Sequence, residues 1–142
     1  MKNILNILTV LVVSSTAVAV PPPADLDLDR VLDAIQKVET GGCKNPSAAV
    51  GDNGKAIGPF QIHRAYWQDA IDFDPSIGGK YEDCVNEAYA RQIVIAYLTR
   101  YAPNWNIDTV ARDHNGGPKG HKSSKTVNYG KKVSKNYAKD AR

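Results

Sequence analysis

The stretch ETGGCKNPSAAVGD, residues 39–52, joins two kinds of local structure and carries a carboxylate at each end. Before it, apolar residues recur at helical spacing, which predicts a helix over residues 25–39. The glycine pair at 41–42 ends this helix, and the following Asn-Pro step prevents its continuation because the residue before proline is driven out of helical backbone angles. Glu39 is therefore expected at the end of a helix.

The second carboxylate of the stretch, Asp52, lies in a different setting. The sequence Gly-Asp-Asn-Gly at 51–54 separates two short apolar runs, which predicts a small β-hairpin over residues 48–62, distorted at the Gly-Pro step 58–59. Asp52 is expected in a polar turn of this hairpin, where turn formation is the ordinary role of an aspartate.

The rest of the chain has mainly helical patterns. Residues 92–98, QIVIAYL, are apolar on nearly all sides, which predicts a buried central helix. The sequence therefore predicts an α+β, mainly helical fold with the hairpin beside a cleft. The helices predicted after the hairpin span residues 63–73, 81–101, 107–114 and 125–139.

The N-terminus has the pattern of an export signal. Lys2 precedes an apolar run over residues 4–13, and Ala17-Val18-Ala19 has the small-x-small form of a cleavage site, so residues 1–19 are expected to be removed as a signal peptide. The apolar run is shorter than the roughly 20 residues of a spanning helix. We expect a secreted, extracellular protein without stable membrane insertion, with residues 20–142 forming one domain.

Cys43 and Cys84 are the only two cysteines. In an oxidising compartment the simplest interpretation is one disulfide between them. The alternatives are two free thiols or a metal site, although two cysteines without patterned histidines are a poor zinc signature. No metal and no cofactor is expected.

Positive charge is concentrated near the C-terminus. The chain has a formal net charge of +3, and residues 110–142 hold nine Lys or Arg side chains against two acidic ones. This segment suits an anionic cell surface such as a bacterial wall, while the alternative is a helix face that only aids solubility. A nucleic-acid partner is not expected, because neither a helix-turn-helix nor an RNA-binding aromatic pattern is present.

Glu39 and Asp52 together suggest glycosidic chemistry. Cleavage of a glycosidic bond needs one carboxylic acid that donates a proton and one carboxylate that stays ionised. A glutamate packed at a helix end is desolvated, which favours its acid form, whereas an aspartate in a polar turn stays charged. Spacing alone does not show that the two groups face each other.

Longer motifs narrow this interpretation. ETGGC at 39–43, GPFQI at 58–62 followed by Ala65-Tyr66-Trp67, and ARDHNGGPKG at 111–120 occur in the order seen in invertebrate-type lysozymes, the destabilase family, which the chain resembles over about residues 30–135. The resemblance implies a lysozyme-like fold and hydrolysis of the β-1,4 bond between N-acetylmuramic acid and N-acetylglucosamine in peptidoglycan, with an antibacterial or digestive role. Its general acid falls on Glu39 and its second carboxylate on Asp52.

The substrate-binding candidates accompany these motifs. Aromatic side chains of a short helix fill cores as readily as they bind sugars, so both roles stay open for Tyr66 and Trp67. His114 has two alternatives: a structural or substrate-binding role, or a hydrolytic dyad with Ser123 or Ser124. The full set is Gln61, Tyr66, Trp67, His114, Asn115 and Gly116.

The chain departs from the family pattern near the hairpin. Lys55-Ala56-Ile57 replaces serines implicated in a second, isopeptidase activity, which is therefore not expected, and His63 stands where the family often has lysine. Two other functions remain open from the sequence. One is a lytic transglycosylase, which shares a similar glutamate and Gly-x-x-Gln-Ile pattern; the other is a non-catalytic cationic wall-binding protein.

Overall fold

A computed structural model describes residues 19–139, which form five α-helices and a small three-stranded antiparallel sheet. The predicted signal peptide, apart from Ala19, and the last three residues of the basic segment lie outside the described residues. The helices are α1 (Leu28–Thr40), α2 (Arg64–Phe73), α3 (Glu87–Tyr101), α4 (Ile107–Gly116) and α5 (Val127–Lys139); the strands are β1 (Val50–Gly51), β2 (Ala56–Ile57) and β3 (Ile62–His63).

Helix α1 confirms the helix predicted before Gly41. Its N-terminus is capped by Asp27, whose carboxylate accepts a hydrogen bond from the backbone N–H of Arg30 at 3.0 Å. Its C-terminus is tied to the segment between β2 and β3, because the Thr40 hydroxyl donates to the carbonyl of Pro59 at 2.8 Å in a buried position. This bond fixes the last turn of α1, and therefore Glu39, against the sheet.

The sheet has one strand more than the predicted hairpin. Strand β1 pairs with β2, and β2 pairs with β3, both in antiparallel register. The β2–β3 turn depends on Gly58, whose φ of +73° is unfavourable for other residues and whose position leaves no room for a Cβ beside the carbonyl oxygen of Cys84. The distortion expected at Gly58-Pro59 is thus a tight turn, and this turn allows β3 to pair with β2.

Helix α3 is the buried central helix that the sequence predicts. Ile93, Val94 and Leu98 have no exposed surface. The helix begins at Glu87 instead of residue 81, because residues 81–85 form a 3₁₀ turn and Asn86 caps α3 by accepting from the backbone N–H of Tyr89 at 3.1 Å.

Helix α5 closes the fold against α1 and α4. Val133 is fully buried, and the Arg30 guanidinium of α1 donates to the carbonyl of Tyr137 at 2.6 and 2.8 Å while lying over its ring. The packing of α5 on α1 places the start of α5 next to the end of α1.

Within residues 19–139 no helix is both long and apolar enough to span a bilayer.

The predicted disulfide between Cys43 and Cys84 is not formed in this structure. Cys43 is exposed in the turn after α1, whereas Cys84 is fully buried in the 3₁₀ turn before α3, and both are free thiols. Burial raises the pKa of the Cys84 thiol to about 12, so it stays protonated and packs as a small apolar group.

Candidate active site

A cleft of about 300 Å³ lies where the end of α1, the sheet, α2 and α4 meet. Two further residues line it besides the candidates from the sequence: Ala56 and His63. Glu39 and Asp52 contribute to the same cleft from α1 and from the β1–β2 turn. The structure thus brings together six of the predicted site residues: Glu39, Asp52, Gln61, Tyr66, His114 and Asn115.

Glu39 is held by side chains from two other helices. The hydroxyl of Tyr129 on α5 donates to Glu39 Oε1 at 2.6 Å, and Nε2 of His114 on α4 lies 3.6 Å from the same oxygen. Only 17% of the Glu39 side chain is exposed. The carboxylate therefore has a fixed position inside the cleft.

The protonation of Glu39 differs from the sequence-based expectation. Burial raises the pKa of Glu39, as expected, but the nearby His114 imidazole and the hydrogen bond from Tyr129 lower it, and His63 adds to this effect. The net pKa lies below the ordinary value of a glutamate. The expectation that burial alone would favour the acid form is wrong for the free protein, because the polar partners were not visible in the sequence.

Asp52 has a far more solvated carboxylate, with 61% of its side chain exposed. Its Oδ2 lies 3.4 Å from Nε2 of His63 on β3. The backbone of Asp52 is left-handed, with φ at +48°, a conformation that is uncommon outside glycine and is often held at functional sites. Asp52 and Glu39 thus occupy the contrasting environments that the sequence predicts.

Gln61 lines the cleft but also shapes it. Its φ is +49°, and its side-chain amide donates to the carbonyl of Gly58 at 2.9 Å and to that of Ala49 at 3.3 Å. These bonds tie the β2–β3 turn to the segment before β1. Gln61 therefore fixes the wall of the cleft that carries Asp52.

Tyr66 and His114 form one unit on the opposite wall. The Tyr66 ring stacks on Tyr97 of α3, with centroids 3.6 Å apart and planes 14° apart, and its hydroxyl lies 3.0 Å from Nδ1 of His114. Burial raises the pKa of Tyr66 well above its ordinary value. Tyr66 is thus both a core residue and a cleft residue.

Trp67 and Gly116 do not line the cleft. The Trp67 indole donates to the hydroxyl of Tyr89 at 2.9 Å and packs edge-on against Tyr81, which favours the core role left open by the sequence. Gly116 ends α4, where a Cβ would lie 2.5 Å from Cγ2 of Thr126. Its small size is needed for packing.

The alternative dyad of His114 with a serine is not formed. Both ring nitrogens of His114 face other groups, Tyr66 and Glu39. The Ser123 hydroxyl instead accepts from the backbone N–H of Lys125 at 3.3 Å, as a cap of the following 3₁₀ turn.

Three residues of the site are not among the candidates from the sequence: Ala56, His63 and Tyr129. In the sequence His63 stands out only as a departure from the family pattern, and no motif contains Tyr129. Tyr129 is 90 positions from Glu39 in sequence, so no local pattern could connect them. Within residues 19–139, no group of three or more His, Cys, Asp or Glu side chains is arranged to hold a metal ion.

A helical fold with two carboxylates in unlike surroundings inside one cleft is typical of glycoside hydrolases of the lysozyme type. Comparison with known proteins agrees with this class. The family model described as Destabilase matches residues 29–136. The chain belongs to the destabilase family.

Bivalve proteins are among its relatives. The chain is 32% identical to a lysozyme of Meretrix lusoria, over 75% of this chain and 87% of that protein, and 35% identical to an invertebrate-type lysozyme of Ruditapes philippinarum, over 66% and 69%. The crystal structure of Tapes japonica lysozyme is similar with a TM-score of 0.63 at 35% identity, over 75% of this chain and 87% of that chain. These findings confirm the predicted family, fold and enzyme class.

Proposed function

We propose that this protein is an exported muramidase that hydrolyses the β-1,4 bond between N-acetylmuramic acid and N-acetylglucosamine in bacterial peptidoglycan. The observation that carries the proposal is the meeting of Glu39 and Asp52 in one cleft, one carboxylate buried and hydrogen-bonded and the other exposed. The lysozymes among its relatives support the substrate class. An antibacterial or digestive role fits such an activity.

The two carboxylates divide the reaction between them. Glu39, as an acid, gives its proton to the glycosidic oxygen as the bond from that oxygen to the anomeric carbon breaks. Asp52 attacks the anomeric carbon from the other face, and the resulting ester is then hydrolysed by a water molecule that Glu39, now a carboxylate, deprotonates. Two displacements at one carbon retain its configuration.

The remaining cleft residues orient the sugar. Asn115 is exposed at the end of α4 and offers an amide, while Gln61 holds the Asp52 wall in place through its two backbone bonds. A side-chain amide suits the hydroxyl and acetamido groups of amino sugars, because the amide and the sugar groups each contain a hydrogen-bond donor and an acceptor. We assign Asn115 to substrate binding and Gln61 chiefly to the shape of the site.

Product analysis tests the proposed reaction. Muropeptides released from purified walls by the wild-type protein are expected to end in reducing N-acetylmuramic acid, as read by mass spectrometry before and after borohydride reduction. Anhydromuramic ends, which carry one water fewer and resist reduction, would show a lytic transglycosylase and would remove the nucleophilic role of Asp52.

A second surface supports binding to an anionic wall. A groove of about 310 Å³ between α1 and α5 is lined by Lys37, Lys132, Lys135 and Lys139, together with Val38 and Asn136. Four ammonium groups around one groove attract polyanions over a distance set by the ionic strength. We infer that this groove holds the enzyme on the wall, as an aid to catalysis and not as its main function.

Export is the last part of the proposal. The N-terminal pattern predicts cleavage after Ala19, which would release a chain that begins at Val20. Val20 is already part of the fold, since its carbonyl accepts from the Trp105 indole at 2.6 Å and its N–H donates to the carbonyl of Thr99 at 3.1 Å. Cleavage at this point keeps these contacts in the mature protein.

A further inference from the structure

His114 is buried between two polar groups from different helices. Its Nε2 lies 3.6 Å from Oε1 of Glu39, and its Nδ1 lies 3.0 Å from the hydroxyl of Tyr66. Only 4% of its side chain is exposed. The distance to Glu39 is slightly longer than a hydrogen bond, and contacts of this kind often shorten when substrate binds.

Tyr66 allows the imidazole to exist in either protonation state. Its raised pKa keeps the hydroxyl protonated, and a phenol both donates and accepts hydrogen bonds. When Nδ1 carries no proton, the hydroxyl donates to it; when Nδ1 is protonated, the hydroxyl oxygen accepts. While Nδ1 stays protonated and donates to the Tyr66 hydroxyl oxygen, an imidazolium can lose its Nε2 proton to leave a neutral imidazole and can gain that proton again.

We propose that Glu39 and His114 share one proton and that His114 is the positioning residue that supplies it to Glu39 in each turnover. This inference rests on the proposed role of Glu39 as the general acid. In the resting cleft this proton is on Nε2 of an imidazolium, whose other proton is on Nδ1, and Glu39 is a carboxylate. The low pKa of Glu39 in the free protein agrees with this distribution.

The proton follows a closed cycle. It moves from His114 Nε2 to Glu39, and from Glu39 to the glycosidic oxygen, while the bonding electrons leave with that oxygen and Asp52 binds the anomeric carbon. In the second step water forms the new bond to that carbon, the bond to Asp52 breaks, and Glu39 takes a proton from the water. This proton returns to Nε2, so the pair again holds one proton.

Other charged or titratable groups surround the pair. Tyr129 of α5 donates to Glu39, and its ring centroid is 6.4 Å from that of His114; burial raises the pKa of Tyr129, so this donor stays protonated. Asp113, the neighbour of His114 on α4, is turned away and accepts from His121 at 2.7 Å. On one side the pair faces Tyr66 of α2, with Tyr97 of α3 behind it. His63 and Asp52 face the pair from the sheet side, and Tyr129 faces it from α5.

The pH dependence of kcat/KM on soluble peptidoglycan fragments tests this proposal. In the wild type, the fall of kcat/KM at high pH, which is the alkaline limb of the profile, reports loss of the proton shared by the pair. In His114→Gln, the limb reports the Glu39 carboxyl alone and is expected to move to lower pH by about one unit or more. The control is His121→Gln, which removes a histidine of the 3₁₀ turn after α4 that does not line the cleft, and which should leave the limb in place.

Carbon-13 NMR of the Glu39 carboxyl gives the readout that a purely structural role would not produce. The pKa of Glu39 is expected to rise in His114→Gln, because burial remains and the imidazole that lowers the pKa is gone. In His114→Gln the alkaline limb of the kinetic profile is thus expected to move to lower pH, while the pKa of the Glu39 carboxyl rises. Superimposable pH profiles of the wild type and His114→Gln would overturn the proposal.

The wild-type protein and Glu39→Gln complete the experiment. If His114→Gln does not fold, NMR of the wild type decides: the His114 ring signals should shift at the pH where Glu39 titrates, and independent single titrations would refute the shared proton. Full activity of Glu39→Gln would instead refute Glu39 as the general acid. An inactive Glu39→Gln with an unchanged limb in His114→Gln would refute only the role of His114.

Discussion

At the residue scale, solvent access separates the roles of Glu39 and Asp52. Glu39 is enclosed by Tyr129 and His114, while most of the Asp52 side chain is exposed beside His63. The sequence predicted this contrast from a helix end and a polar turn. It could not predict the pKa of Glu39, because the groups that lower it come from α4, α5 and β3.

A single glycine holds the wall that carries Asp52. Gly58→Ala should lower the free energy of unfolding by at least about 2 kcal/mol, because φ is positive there and the new Cβ would overlap the Cys84 carbonyl. Gly54→Ala is the matched control, since Gly54 also has positive φ but has open space around it. Equal shifts of the two urea midpoints would contradict the role given to the Cys84 contact.

At the scale of elements, the sequence predicted the helices better than the sheet. Helix α1 is visible in the sequence because its apolar residues recur at helical spacing, and α3 is visible because its central residues 92–98 are apolar on nearly all sides. Strand β3 has only two residues, which is too short for a visible alternation. The sequence predicts too early a start for α3, because the 3₁₀ turn at 81–85 has nearly helical spacing. The cap at Asn86 separates this turn from α3.

Helix α5 gives a prediction about wall binding. Reversal of two groove charges in Lys132→Glu/Lys135→Glu should weaken retention on anionic walls severalfold at low ionic strength, and high salt should remove the difference from wild type. A control with the same charge change is Lys44→Glu/Lys122→Glu, whose residues do not line the groove. Equal retention of the two variants at low salt would show that only net charge matters.

At the scale of the whole molecule, the core links distant parts of the chain and thereby builds the site. Fully buried residues extend from Val31 on α1 to Val133 on α5. Packing of α5 on α1 brings Tyr129 to Glu39, and packing of α2 on α3 stacks Tyr66 on Tyr97. The motifs identified six cleft residues, but the tyrosine and histidine that complete the site depend on contacts that exist only after folding.

The most direct test of the central claim is the rate of wall lysis by Glu39→Gln, compared with wild type and with Asp29→Asn as an exposed control on the same helix. The account predicts a folded Glu39→Gln with activity lowered by at least about a hundredfold, as for loss of a general acid, and a nearly unchanged Asp29→Asn. Lysis by Glu39→Gln at the wild-type rate would contradict the assignment of this cleft as the active site.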